Sequence, residues 1–187
     1  MAIDTSQFKN GLKIVLDGEP FSITYFQHVK PGKGGAFVRT KVKNLKSGRV
    51  LDRTFRSGEK VDEADTLDRR MQYLYQDGDQ LVFMDSKDYE QIPFSREQVG
   101  EGVKYLKENL EVDVLFWNGN PINIEIPSFI EAEITQCEPG LKGDTASGST
   151  KPATLETGAV VQVPLFIKEG ETIRVDTRTG AYVERVN

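Results

Sequence analysis

The chain has 187 residues, 37% hydrophobic and 28% charged, which is globular composition and length enough for one to three small domains. No stretch reaches the roughly 18 consecutive apolar residues of a membrane span. Met1-Ala2-Ile3-Asp4-Thr5-Ser6 lacks the basic start and apolar run of a secretory signal, and the single cysteine, Cys137, excludes an internal disulfide, so a cytoplasmic protein is expected.

The formal charge of −5 hides a partition. Residues 1–64 hold 12 Lys/Arg against 7 Asp/Glu, net +5; residues 65–127 hold 6 against 13, net −7; residues 128–187 hold 6 against 9, net −3. A basic first third beside acidic later thirds points to a polyanion partner for one end only.

In chain order, strands are predicted over Lys13–Leu16, Phe21–Val29, Ala36–Leu45, Leu81–Met84, Val112–Trp117, Ile122–Ile126, Ala159–Pro164 and Thr172–Val175. Asp17-Gly18, Ser47-Gly48, Asp77-Gly78, Asn118-Gly119, Glu169-Gly170 and Thr179-Gly180 supply turns between such runs. Frequent short strands indicate barrels or sandwiches rather than βαβ units. Helix is scarce. Ser95-x-x-Gln98 has the form of a capping box, Val103, Leu106 and Leu110 recur at helical spacing, Gly100 and Gly102 interrupt the pattern, and Asn109 is its expected end. The polar stretch Gly58–Asp65 reads as a loop where the charge changes sign, and Ile126-Pro127-Ser128 is a second break. The expected domains are therefore 1–64, 65–127 and 128–187. Gly140–Pro152 reads as a loop inside the third. A weak repeat relates Asp77-Gly78-Asp79 with Asp85 and Tyr89 to Glu169-Gly170-Glu171 with Asp176 and Tyr182.

Catalytic chemistry finds little support. His28 is the one histidine, Cys137 has no paired base and reads as a small buried residue, and no phosphate-binding glycine loop or nucleophile elbow is present. No metal or cofactor is expected.

The most informative segment is Lys30-Pro31-Gly32-Lys33-Gly34-Gly35-Ala36-Phe37. Pro31 stiffens the exit from a strand, and Gly32, Gly34 and Gly35 add no bulk around Lys33, so a lysine so flanked can enter a narrow space. Arg39, Lys41 and Lys43 then alternate with Val38, Thr40 and Val42, which places three cations on one face of a strand. A cationic sheet face beside a lysine-tipped loop suits contact with a phosphate backbone; a solvated hairpin tip is the alternative.

These residues resemble the tip loop and succeeding strand of bacterial translation elongation factor P. A second motif agrees: Lys151, Ala153, Gly158, Val161, Val163, Pro164, Ile167 and Gly170 keep the spacing of that family's C-terminal signature, and Gly180-Ala181-Tyr182-Val183-x-Arg185-Val186 is similar to its closing segment. The resemblance spans the whole chain. It implies an all-β protein of three small β-barrels in series, a KOW/SH3-like N-terminal domain followed by two OB-fold domains. It also implies a non-enzymatic, monomeric factor that binds the ribosome beside the peptidyl-tRNA and promotes peptide-bond formation at consecutive prolines. By the same resemblance Lys33 reaches the acceptor end of the peptidyl-tRNA; in many members of the family this residue carries a covalent extension added by a modifying enzyme, while other lysine-tipped members work unmodified. The alternation and the basic loop themselves put Lys30, Arg39, Lys41 and Lys43 toward RNA backbone; the resemblance implies that Tyr182 and Arg185 face the small subunit and tRNA and that Gly143-Asp144-Thr145 approaches messenger RNA. The alternatives are another OB-fold nucleic-acid-binding protein, an enzyme, or a paralogue of the factor. The placement of Phe116, Trp117 and Phe129 in core strands weighs against base stacking by the later domains.

Overall fold

The computed structural model describes residues 1–140 and 149–187. Three sheets account for more than half of them. The first has six strands: β1 (Ala2–Asp4), β2 (Lys13–Leu16), β3 (Glu19–Val29), β4 (Phe37–Asn44), β5 (Val50–Arg56) and β6 (Lys60–Glu63), in the order β1-β6-β2-β3-β4-β5. The second is β7 (Thr66–Asp77), β8 (Gln80–Asp85), β9 (Gln91–Ser95), β10 (Glu111–Trp117) and β11 (Asn120–Glu125), in the order β11-β10-β7-β8-β9. The third is β12 (Phe129–Cys137), β13 (Thr150–Leu155), β14 (Val160–Pro164), β15 (Thr172–Asp176) and β16 (Ala181–Val186), in the order β14-β13-β12-β15-β16.

The first sheet curls around Ile3, Phe8, Ile14, Leu16, Phe21, Ile23, Val38, Val42 and Phe55. Phe8 meets Phe55 edge to face at 5.3 Å, and Arg53 on β5 reaches Asp17 in the β2–β3 turn at 3.2 Å. The stretch Gly58–Asp65, expected as a loop, contains strand β6. Its polar side chains gave no alternation, but its backbone pairs on both sides, Ala2 with Asp62 and Ile14 with Glu63.

In the second sheet Phe83 packs on Tyr73 at 5.5 Å and on Phe94 at 5.2 Å. The Ser95 capping box is present and starts α1 (Arg96–Val99). Gly100 at φ +72° ends that turn and a 3-10 segment follows over Gly100–Tyr105. Helix therefore stops at Tyr105 rather than at Asn109, because Leu106 is extended; Asn109 occupies a later turn at φ +69°.

The third sheet encloses Ile130, Ala132, Ile134, Ala153, Leu155, Val161, Val163, Ile167, Ile173 and Val175, and Tyr105 from the preceding 3-10 segment belongs to the same core. Lys151 of the C-terminal signature is 7% exposed, its ammonium donating to the Glu138 carbonyl, so its place in the motif has a structural cause. The packing divides the chain into two compact units, residues 1–68 with 114–123, and residues 69–113 with 124–187.

The internal repeat is real but aligns differently at its end. Asp85 Oδ1 accepts from the Lys87 and Asp88 amides at 2.7 and 3.2 Å, and the Tyr89 amide donates to the Asp85 carbonyl. Asp176 Oδ1 accepts from the Arg178 amide at 2.9 Å, and the Gly180 amide donates to the Asp176 carbonyl. Tyr89, at φ +62°, thus corresponds to Gly180 at φ +75° and not to Tyr182. The Lys87 amide, chiefly, holds the Asp85 carboxyl below the usual carboxylate range, and the Arg178 guanidinium does the same for Asp176. A folded pKa below the unfolded value stabilises the fold above about pH 4 and loses that contribution as the pH falls through the folded value. The melting temperature is expected to be flat from pH 7 to about 5 and to drop below about 4, with a shallower acid limb in Asp85→Asn, as thermal melts across pH would show.

Candidate nucleic-acid interface

The hairpin between β3 and β4 closes its ladder at Val29 and Phe37, leaving residues 30–36 as the loop. Pro31 has no amide hydrogen to continue the ladder, and the Ser57 amide anchors the far side by donating to the Ala36 carbonyl at 3.0 Å. Gly34 sits at φ +93°, a conformation that disfavours any side chain. Gly32 and Gly35 differ: a Cβ at either would meet nothing within 4 Å, so internal packing does not demand their small size. Lys33 is exposed at the tip.

Behind the loop the alternation on β4 holds. Val38, Thr40 and Val42 are 0, 3 and 1% exposed, and Arg39, Lys41 and Lys43 lie on the solvent face. Arg39 stacks its guanidinium 5.4 Å from the Phe37 ring. Lys41 meets Asp52 at 3.6 Å, both side chains more than half exposed, a surface pair worth at most about 1 kcal/mol and easily exchanged. Lys30, Lys33, Arg39 and Lys43 have no carboxylate partner among the described residues. Sequence reasoning missed Tyr25, which shares this face at 46% exposure.

Of the other expected site residues, Tyr182 and Arg185 lie in the second compact unit. Tyr182 is half-buried against the third core. Arg185 is exposed, paired with Glu171 at 3.3 Å, with its guanidinium 5.7 Å from the Phe166 ring. Gly143, Asp144 and Thr145 lie outside the described residues. Phe116 is buried as expected, but Phe129 is not: it is 48% exposed, its ring covered on one side by Arg178 at 5.4 Å, because the burial pattern of β12 turns Ile130, Ala132 and Ile134 inward. Cys137 is half-buried, its thiol facing the Ile167 carbonyl at 3.8 Å. His28 is exposed, its ring edge to face with Phe26 at 5.8 Å. Among the described residues no cluster of three His, Cys, Asp or Glu is placed to hold a metal ion, and no helix is long and apolar enough to cross a membrane.

A curled six-stranded sheet with a cationic, glycine-rich hairpin, followed by two five-stranded barrel sheets, defines the class: a multi-barrel β-protein with a surface suited to nucleic acid. Comparison with known proteins narrows it. Sequence models of the elongation factor P KOW-like domain, OB domain and C-terminal domain match residues 4–61, 67–124 and 130–185. Elongation factor P of Moorella thermoacetica is 54% identical over 183 residues, covering 98% of this chain and 99% of that one; its counterpart in Desulfitobacterium hafniense is 55% identical with the same coverage. Among solved structures, eukaryotic translation initiation factor 5A from Methanococcus jannaschii superposes with a TM-score of 0.53 at 25% identity, covering 68% of this chain and 92% of that one. An initiation factor 5A family protein from Naegleria fowleri, at 16% identity and the same TM-score, shows the shared fold alone. The chain belongs to the elongation factor P family: it is a translation elongation factor with a KOW-like N-terminal domain and OB-type barrels, and the family's known role is ribosome binding and relief of stalling at consecutive prolines.

Proposed function

We propose that the chain acts through the Lys30–Ala36 loop, with Lys33 reaching the acceptor end of the peptidyl-tRNA on the ribosome. Three domains, 1–64, 65–127 and 128–187, carry the division of labour. Lys30, Arg39, Lys41 and Lys43 grip RNA phosphates, Tyr182 and Arg185 contact the small subunit and tRNA, and Gly143-Asp144-Thr145 lies on the messenger side. The factor works as a cytoplasmic monomer without a cofactor or an active site of its own, because holding the donor end in a productive pose lowers the entropic part of the barrier. The observation that carries the reading is the loop itself: Gly32 and Gly35 have open space around them and so no packing reason to lack side chains, which fits a tip that must pass through a close-walled partner. Lys33, exposed and flanked only by glycines, is also open to a modifying enzyme; peptide mass spectrometry of the natively expressed protein is expected to find an adduct confined to Lys33.

The test is ribosome affinity as a function of salt. Each phosphate contact contributes a slope of about −0.7 to −0.9 in log K against log salt, so three or four contacts predict a slope near −2 to −4. An affinity that does not change with salt would remove the cationic face from the grip.

A further inference from the structure

Tyr25 is on the outer face of the first barrel because the strand is irregular there. The β3–β4 ladder shifts register between Ile23 and Tyr25: Ile23 is opposite Val42, and Tyr25 is opposite Lys41. Thr24 is the extra residue of a β-bulge, and it reverses the inside–outside parity. Ile23 is fully buried and Phe26 packs against the core, while Thr24 and Tyr25 both face solvent. Without the bulge, alternation from Ile23 would send Tyr25 into the barrel. The bulge therefore aims one aromatic ring outward, and bulges of this kind concentrate where a side chain must be re-aimed.

The ring's neighbours fit a defined ligand. Lys41 is its cross-strand partner, and Arg39 is two ladder positions on, opposite Gln27. The Tyr25 hydroxyl donates to Gln27 Oε1 at 3.2 Å, which ties the ring along the strand. Asp52 on the same face already pairs with Lys41. No other Phe or Tyr of the six-stranded sheet is as exposed. An exposed ring beside a row of cations on the neighbouring strand matches the arrangement that binds unpaired nucleic acid, where a base stacks on the aromatic and the adjoining phosphates meet Lys and Arg. A duplex keeps its base faces stacked inside, so the ligand is a single-stranded RNA segment or end.

We propose that Tyr25 is a stacking platform for one unpaired RNA base, with Lys41 and Arg39 engaging the adjoining phosphates. This rests on the cationic-face reading above, and the two fail differently. The experiment measures ribosome affinity against salt for the full-length parent, Tyr25→Leu, Tyr25→Trp and Lys41→Gln. Stacking releases no counterions, so Tyr25→Leu is expected to weaken binding roughly 5- to 100-fold with the salt slope unchanged, and Tyr25→Trp to bind at least as tightly as the parent. Parental affinity in Tyr25→Leu, or Tyr25→Trp as weak as Tyr25→Leu, overturns the platform. Lys41→Gln is expected to flatten the slope by about 0.7 to 0.9; an unchanged slope there sinks the cationic face itself, whatever Tyr25 does. A photocrosslinking residue, benzoylphenylalanine, in place of Tyr25 is expected to attach to RNA on the ribosome. Attachment to ribosomal protein alone overturns the proposal, and this arm stands even if the leucine variant is less stable.

Discussion

Lys33→Ala is expected to fold as the parent does and to lose most of its rescue at proline runs. The side chain is exposed and has no carboxylate partner among the described residues, so its removal changes stability by no more than about 0.5 kcal/mol. The loss falls on positioning. A misplacement of the donor end by about 1 Å costs on the order of 100-fold in a reaction driven by orientation, so a drop of about 10- to 100-fold in the rate of peptide-bond formation on a Pro-Pro-Pro template is expected. Ribosome affinity should fall much less, since Lys30, Arg39, Lys41 and Lys43 remain. Lys33→Arg separates charge from shape: it keeps the positive charge but replaces a compact, modifiable amine with a planar fork, and is expected to rescue poorly. Parental rates in Lys33→Ala, measured by quenched-flow synthesis of a proline-containing peptide, would dismiss the tip.

Tyr105→Ala carries the largest expected cost in stability. Tyr105 comes from the 3-10 segment that follows β9, yet it is 3% exposed in the core beneath β12–β16. Gly180 accommodates it: a Cβ there would lie 3.3 Å from the Tyr105 hydroxyl, and the φ of +75° already favours glycine. Deleting a buried aromatic ring costs about 3 to 5 kcal/mol, which is a large part of the roughly 5 to 15 kcal/mol that holds a typical protein folded. At about 2 to 4 °C per kcal/mol for a chain of this size, the melting temperature should fall by about 6 to 20 °C. Tyr105→Phe keeps the ring and should stay within about 1 kcal/mol of the parent. Calorimetry on the three proteins checks this, and an alanine variant that melts with the parent would show that the ring is not a structural pin.

Much of the fold is legible in the sequence where one face of a strand is buried. Lys13–Leu16 coincides with β2 residue for residue, and the cations of β4 fall on the face that period two assigns. The strands that escape are those whose pattern carries no such contrast. In β5 only Phe55 is buried out of seven residues, so no alternation marks it. The twelve-residue β7 is broken by a register shift between Tyr73 and Tyr75 and is largely polar. Phe129–Cys137 does alternate, and so does Thr150–Leu155, which turns Lys151, Ala153 and Leu155 inward and pairs with β14 from Thr150 on, so the stretch Gly140–Pro152, expected as a loop, ends in strand; period two supports both omitted strands. The tip loop is legible because glycine and proline act locally. Tyr25 is not, because its direction depends on an inserted residue that only cross-strand register reveals. The place of Tyr105 in another barrel's core is hidden for a related reason: helical spacing says that a ring faces something, and not what.

The chain's one tryptophan sits at the end of β10 in the first compact unit, with its indole nitrogen buried and without a partner among the described residues and the Lys46 ammonium 5.0 Å from the ring. Lys46 also meets Glu19 at 3.5 Å, so the cation over the indole is tethered to the first barrel. Nature has thereby left a single optical probe on the tip-bearing unit. Emission excited at the indole band follows residues 1–68 with 114–123 alone, whereas the far-ultraviolet signal sums both units. The two traces, recorded on one sample without any label, report separately on the part that carries Lys33 and on the whole.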